Sequence, residues 1–111
     1  MKRKVGLWID QKNAVIFSLA DEGAEIKRIA STLETHEEKP VTSHLNDYYD
    51  EVLAYIRTAE SILIFGPGEA KAELQKRLEY AELHEHIVGI ETADKMTDNQ
   101  IVTKIRQHFL G

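Results

Sequence analysis

The chain has no cysteine among its 111 residues, so it can build neither a disulfide framework nor a thiolate metal site. Nothing in it calls for an oxidising compartment, and the expected location is the cytoplasm. Long apolar runs are also missing, and none approaches the roughly 18 residues that a membrane-spanning helix needs. The basic start, Met1-Lys2-Arg3-Lys4, is followed by an apolar segment that Asp10 and Lys12 interrupt within a few residues. That interruption excludes the apolar centre of a signal peptide. An excess of positive charge is absent too: 19 acidic against 14 basic side chains leave a net charge of −5. Binding nucleic acid through bulk phosphate neutralisation usually needs the opposite balance. Only a local basic face remains open, and basic residues do pair at Lys2-Arg3-Lys4, Lys27-Arg28 and Lys76-Arg77. The acidic stretch from Glu34 to Glu51 reads as solvated surface.

What is present reads as one domain spanning residues 1–111, large enough for a single layered core. There are no repeats, low-complexity tracts or linkers. Val5, Leu7 and Ile9 alternate with Gly6 and Trp8, the period of a strand. Asp10-Gln11-Lys12-Asn13 supplies turn residues, and Ala14 to Leu19 should return as the second arm of a hairpin. After Asp21-Glu22-Gly23, Ala24 to Ala30 reads as a third strand at a sheet edge. Ser31 to Thr42 looks like a loop. From Ser43 the period becomes helical, with Leu45, Tyr48, Tyr49, Val52, Leu53 and Ile56 on one stripe. Ser61 to Phe65 is a continuously apolar strand, and the helix after Gly68 should turn Ala70, Leu74, Leu78 and Ala81 inward. Ile87 to Ile90 repeats the buried-strand character and should pair beside Ser61–Phe65. Thr97 and Gln100 form a capping-box pattern ahead of a last helix carrying Ile101, Val102, Ile105 and Phe109. The expected order is βββαβαβα.

The segment SILIFGPGEAKAEL, Ser61 to Leu74, carries the most functional information. A buried strand runs through Gly66-Pro67-Gly68 into a helix with Lys71 in its first turn, and an open helix N-terminus presents free N–H groups. If this corner holds an anion, Gly68, Glu69 and Ala70 supply the N–H groups and Lys71 the charge, with Lys76 and Arg77 extending the basic surface. An RNA phosphate is the natural candidate, although Glu69 opposes it. Pro67 offers no N–H, and the corner is weaker than a P-loop. The plain alternative is a turn whose glycines allow close packing.

Ile62 to Lys71, preceded by an opening βββ unit and a tyrosine-bearing helix, resembles the middle domain of archaeal and eukaryotic peptide-chain release factors and of Pelota. Compact bacterial translational machinery components are similar as well, on Trp8-Ile9-Asp10 and on Thr92-Ala93-Asp94-Lys95-Met96-Thr97. The element order and the resemblance together imply an α/β fold of ribonuclease H-like type, a mixed five-stranded sheet with flanking helices. One departure bears on mechanism. The release factors act through a Gly-Gly-Gln loop between the opening strands and the first long helix. Here no glycine occurs between Gly23 and Gly66, and none of the six glycines is adjacent to another. The resemblance therefore implies a stand-alone, non-catalytic domain that contacts the ribosome or structured RNA, without cofactor, metal or small-molecule substrate.

Two other readings stay open. A ribonuclease H-like nuclease would need carboxylates gathered around divalent ions, and Asp10, Glu51, and Asp94 or Asp98 are the available set. Asp10 and Asp98 each also have a structural reason, a turn and a helix start respectively. The other reading is a protein-interaction module without an RNA role, such as a homodimer formed edge to edge through the third strand or through a helix face. His84 and His86 could ligate a metal only from a strand with a third ligand, which the sequence does not indicate. Trp8, Tyr48, Tyr49 and Tyr55 could stack on bases, but the helical stripe favours core packing for Tyr48 and Tyr49.

Overall fold

The computed structural model describes residues 3–21, 23–30 and 41–110, with side chains for these except at 41–46. The elements are β1 (Lys4–Ile9), β2 (Asn13–Ala20), β3 (Gly23–Ala30), α1 (Val41–Ile56), β4 (Ser61–Gly66), α2 (Ala70–Tyr80), a 3-10 turn at His84–His86, β5 (Ile87–Thr92) and α3 (Asp98–Leu110). The five strands form one mixed sheet in the order β3-β2-β1-β4-β5. β1, β2 and β3 are antiparallel neighbours, whereas β4 and β5 run parallel to β1. The expected α/β order and mixed sheet are therefore found.

Strand alternation divides the core between the two faces of the sheet. Val5, Leu7, Ile9, Ile16, Ile62 and Ile64 meet Tyr48, Val52, Ile56, Leu74 and Leu78 from α1 and α2. Trp8, Val15, Phe17, Leu63 and Phe65 meet Ile101 and Ile105 from α3 on the opposite face. Both faces of β1 and β4 are thus covered, which explains why Ser61–Phe65 is apolar without alternation. Gly6 sets the approach of α3, because a Cβ there would lie 2.4 Å from Ile105 Cγ1. Arg3 ties the start of the sheet to the end of α1: it donates to the Tyr55 carbonyl at 2.7 Å and to Thr58 Oγ1 at 3.0 Å, and lies over the Tyr55 ring.

Three local expectations need correction. β5 pairs with β4 as anticipated, but it is an edge strand with Val88, Glu91 and Thr92 exposed. A short apolar run does not distinguish a central strand from an edge strand whose outer neighbour is solvent. Ala81 caps the end of α2 and is exposed instead of joining the inward face. α1 starts at Val41, so Thr42 is helical, and the remainder of the expected loop, 31–40, lies outside the described residues. The capping box is present, with Gln100 N–H donating to Thr97 Oγ1 at 3.2 Å and Thr97 N–H to Gln100 Oε1 at 2.9 Å.

Candidate RNA-binding groove at the carboxyl end of the sheet

Because β1, β4 and β5 are parallel, Ile9, Gly66 and Thr92 all end at the same edge of the sheet. In open α/β sheets the crevice outside the strand carboxyl ends is the usual place for a ligand. Here the β1–β2 turn is held by Asp10, whose Oδ1 accepts the N–H groups of Lys12 at 2.8 Å and Asn13 at 2.7 Å. That is an Asx turn, the structural role open to this aspartate from its sequence context. Tyr48 Oη of α1 donates to the Asp10 carbonyl at 2.8 Å, so the turn is fixed from both sides.

Gly66 faces this turn directly. Its φ is +153°, and a Cβ would lie 2.2 Å from the Ile9 carbonyl oxygen, so only glycine lets β4 pass so close to β1. Gly68 has φ +66° with open space around it; it needs the left-handed conformation but not the close approach. The glycines of the corner thus have sufficient structural reasons.

The other residues of the expected anion site separate. Glu69 is the N-cap of α2 and makes no side-chain cap hydrogen bond, and Ala70 is buried. Lys71 Nζ donates to the Gly68 carbonyl at 2.6 Å, closing its own turn. Arg77 meets Glu73 of its own helix at 3.3 Å and reaches to α1, where it meets Asp50 at 3.3 Å and lies over the Tyr49 ring. Lys76 shares the shallow depression between α1 and α2 with Arg77, Asp50 and Tyr80, apart from the Gly-Pro-Gly corner. Lys71 is not among the residues that line that depression.

A different set converges at the same edge. A cleft of about 650 Å³ opens between β1, the end of β3, Pro67 and the segment before α3. Trp8, Val15, Met96 and Ile101 give it an apolar floor, and Lys12, Arg28 and Lys95 stand around it. Trp8 Nε1 donates to the Asp94 carbonyl at 3.1 Å, which fastens the segment after β5 to β1. Trp8-Ile9-Asp10, Gly66-Pro67-Gly68 and Asp94-Lys95-Met96, far apart in the chain, therefore meet at one place. Past Lys12 and Pro67 the cleft continues into a second depression beside Gln11, Gly68 and Glu69. Asp10 and Lys12 line both depressions, Glu69 lines only the second, and Arg28 and Lys95 line only the first.

The three cations differ. Arg28 pairs with Asp98 at the start of α3. Lys12 and Lys95 are exposed, and among the described residues neither ammonium has an ion pair. Neither lysine stood out in the sequence: one is a turn residue and the other lies in an irregular segment, so no periodicity connects them. Only the shared Trp-Ile-Asp and Thr92–Thr97 resemblance marked their neighbourhoods.

The remaining candidates are dispersed. Among the described residues no three His, Asp or Glu side chains are grouped so as to hold a metal ion. Asp10 is committed to its turn, Asp98 to Arg28, and Glu51 is exposed on α1. His84 and His86 occupy a 3-10 turn instead of a strand, and His86 Nδ1 lies 3.0 Å from the Glu60 carbonyl. Trp8, Tyr48 and Tyr49 are buried, and Arg3 covers Tyr55, so these rings are packing elements. Among the described residues no helix is long and apolar enough to cross a membrane.

No family model matches the chain, and no curated protein matches it by sequence. Solved structures do. Pelota from Thermoplasma acidophilum superposes with a TM-score of 0.70 at 18% identity, over 96% of this chain and 32% of that one. The chain has the fold of a Pelota and release-factor middle domain. Archaeoglobus fulgidus Pelota gives 0.66 at 18% identity, with 97% of this chain and 32% of that one covered. The archaeal translation termination factor aRF1 gives 0.60 at 16% identity, over 95% and 34% respectively. This chain thus spans about a third of the length of these Pelota and release-factor proteins.

Burial also leaves a titration signature at the groove. The Tyr48 hydroxyl is pushed far above its ordinary value of 10.0, first by burial and then by the Asp10 charge. Tyr49 and Tyr55 are raised as well, each mainly by burial, with Glu73 adding at Tyr49 and a hydrogen bond to Glu25 at Tyr55. Above pH 10 the unfolded chain loses these protons first, so the contribution of these tyrosines to stability is constant below that pH and is lost as pH rises beyond it. Urea unfolding at about pH 9 and about pH 11 should show this loss, and Tyr48→Phe should make the decline shallower. An equal decline in the variant would place the alkaline sensitivity elsewhere.

Proposed function

We propose that this chain is a translation-associated, non-hydrolytic RNA-binding domain that lays an RNA backbone across the groove at the carboxyl end of its sheet. The observation that carries the reading is the meeting of Trp8–Asp10, Pro67 and Lys95–Met96 around one cleft, beside two lysines that have no ion pair among the described residues. The fold supports the setting, since it is shared with a translation termination factor and with S. cerevisiae Dom34, a termination-like factor involved in RNA quality control. Lys12 and Lys95 supply phosphate contacts, and Arg28 is held nearby by Asp98. The apolar floor suits a sugar or a base edge more than a second charge. Contacts of this kind position RNA without reading its sequence. Without adjacent glycines, the chain has no Gly-Gly-Gln loop with which to hydrolyse peptidyl-tRNA.

Fluorescence anisotropy with a labelled structured RNA, measured across a salt series, tests the assignment. Binding should weaken with salt, and Lys12→Glu/Lys95→Glu should lower affinity at least tenfold. Its salt slope should fall by roughly two, about one for each lost phosphate contact. Lys76→Glu, on the other side of α2, should bind as wild type does. Loss in Lys76→Glu with retention in the double variant would move the site to the α1–α2 depression.

A further inference from the structure

We propose that β3 is a self-recognition edge, and that two copies of this chain join β3 to β3 in antiparallel register about Ile26 to form one continuous ten-stranded sheet. This inference is independent of the RNA reading. β3 ends the sheet, and among the described residues nothing pairs with its outer side. The direction of its backbone groups follows from the ladder. Asp10 N–H donates to the Asn13 carbonyl, so alternate residues of β2 starting at Asn13 bond toward β1, and Ala14, Ile16, Ser18 and Ala20 bond toward β3. Their partners Ile29, Lys27, Glu25 and Gly23 therefore point their N–H and C=O groups inward. Ala24, Ile26 and Arg28 are left with theirs facing out.

Two copies related by a two-fold axis perpendicular to the sheet must pair residues of the same parity, because opposed side chains share a face. Centring on Ile26 satisfies every constraint. Ile26 then forms a doubly hydrogen-bonded pair with itself, and Ala24 pairs with Arg28 in the same way on either side. Between them Glu25 stands opposite Lys27 twice, in the non-hydrogen-bonded positions where side chains come closest. Ile26 is 46% exposed in the single chain, the one large apolar residue that β3 exposes. Shifting the axis by one residue places Lys27 against Lys27 or Glu25 against Glu25, and like charges directly opposed are unfavourable. One register is thus attractive and its neighbours are repulsive, which separates this edge from one that merely carries charge to resist pairing. Glu25 also accepts the Tyr55 hydroxyl at 2.7 Å, which orients its carboxylate.

Sedimentation velocity across a concentration series, with circular dichroism to verify folding, tests the pairing. Wild type should reach twice the mass of the chain. Glu25→Lys alone and Lys27→Glu alone should each stay monomeric, because each sets like charges against one another twice. An equimolar mixture of the two variants should recover the dimer mass, since each supplies the charge that the other lacks. The double variant Glu25→Lys/Lys27→Glu should also dimerise. A wild type that is monomeric throughout overturns the proposal, as does a dimer that neither single variant weakens.

Discussion

Gly66→Ala should be the most damaging single-methyl change in the molecule. The added Cβ would lie 2.2 Å from the Ile9 carbonyl oxygen, a backbone atom at the carboxyl end of β1, at a residue with φ +153°. Neither side can yield cheaply. The oxygen belongs to β1, which is bonded to β2 and β4 on its two sides, and Gly66 itself accepts the Ala93 N–H at 3.0 Å. Overpacking and backbone strain together should cost about 3 to 5 kcal/mol, a large part of the roughly 5–15 kcal/mol that holds a domain folded. Gly68→Ala is the internal comparison. With open space around a φ of +66°, it should lose only about 1 to 2 kcal/mol. Urea denaturation of both variants measures the difference, and equal losses would contradict the close-approach account of Gly66.

Phe65→Ala should be comparably severe for a different reason. Phe65 is fully buried beside Trp8, its partner in the β1–β4 register, and packs under α3 with Ile101 and Ile105. Removing the ring should cost about 3 to 5 kcal/mol through lost burial and the cavity left behind. The same residues support the cleft floor, so the variant should also loosen the Trp8–Asp94 attachment. Indole fluorescence would report this as a shift toward the solvent-exposed spectrum at urea concentrations where the variant is still folded. An unchanged spectrum and a loss below about 1 kcal/mol would mean that α3 collapses onto the gap.

These two sites also show what the sequence could reveal. The Ser61–Phe65 strand was legible because four apolar residues, Ile62 to Phe65, stopped by Gly-Pro-Gly fit a doubly covered strand. The α3 start was legible because Thr97 and Gln100 cap it with local bonds. Gly66 and Gly68 were legible as special positions, yet their difference was not, because it depends on Ile9, which lies 57 positions earlier in the numbering. The edge position of β5 was hidden for the same reason: its exposure depends on which strands flank it. Arg77 looked like part of a basic pair, but Asp50 and Tyr49 of another helix engage it. Lys12 and Lys95 came together only once β1 and the segment after β5 were placed side by side. Local signals fixed the elements, while the candidate site is a product of long-range register.

Sucrose-gradient sedimentation of the tagged protein from cell lysate, at low and high salt, tests the central claim most directly. The account predicts that wild type travels with ribosomal particles at low salt and is released at high salt. Lys12→Glu/Lys95→Glu should remain at the top of the gradient under both conditions, and Lys76→Glu should follow wild type. Wild type confined to the top at low salt, or a double variant that still sediments with the particles, would contradict it.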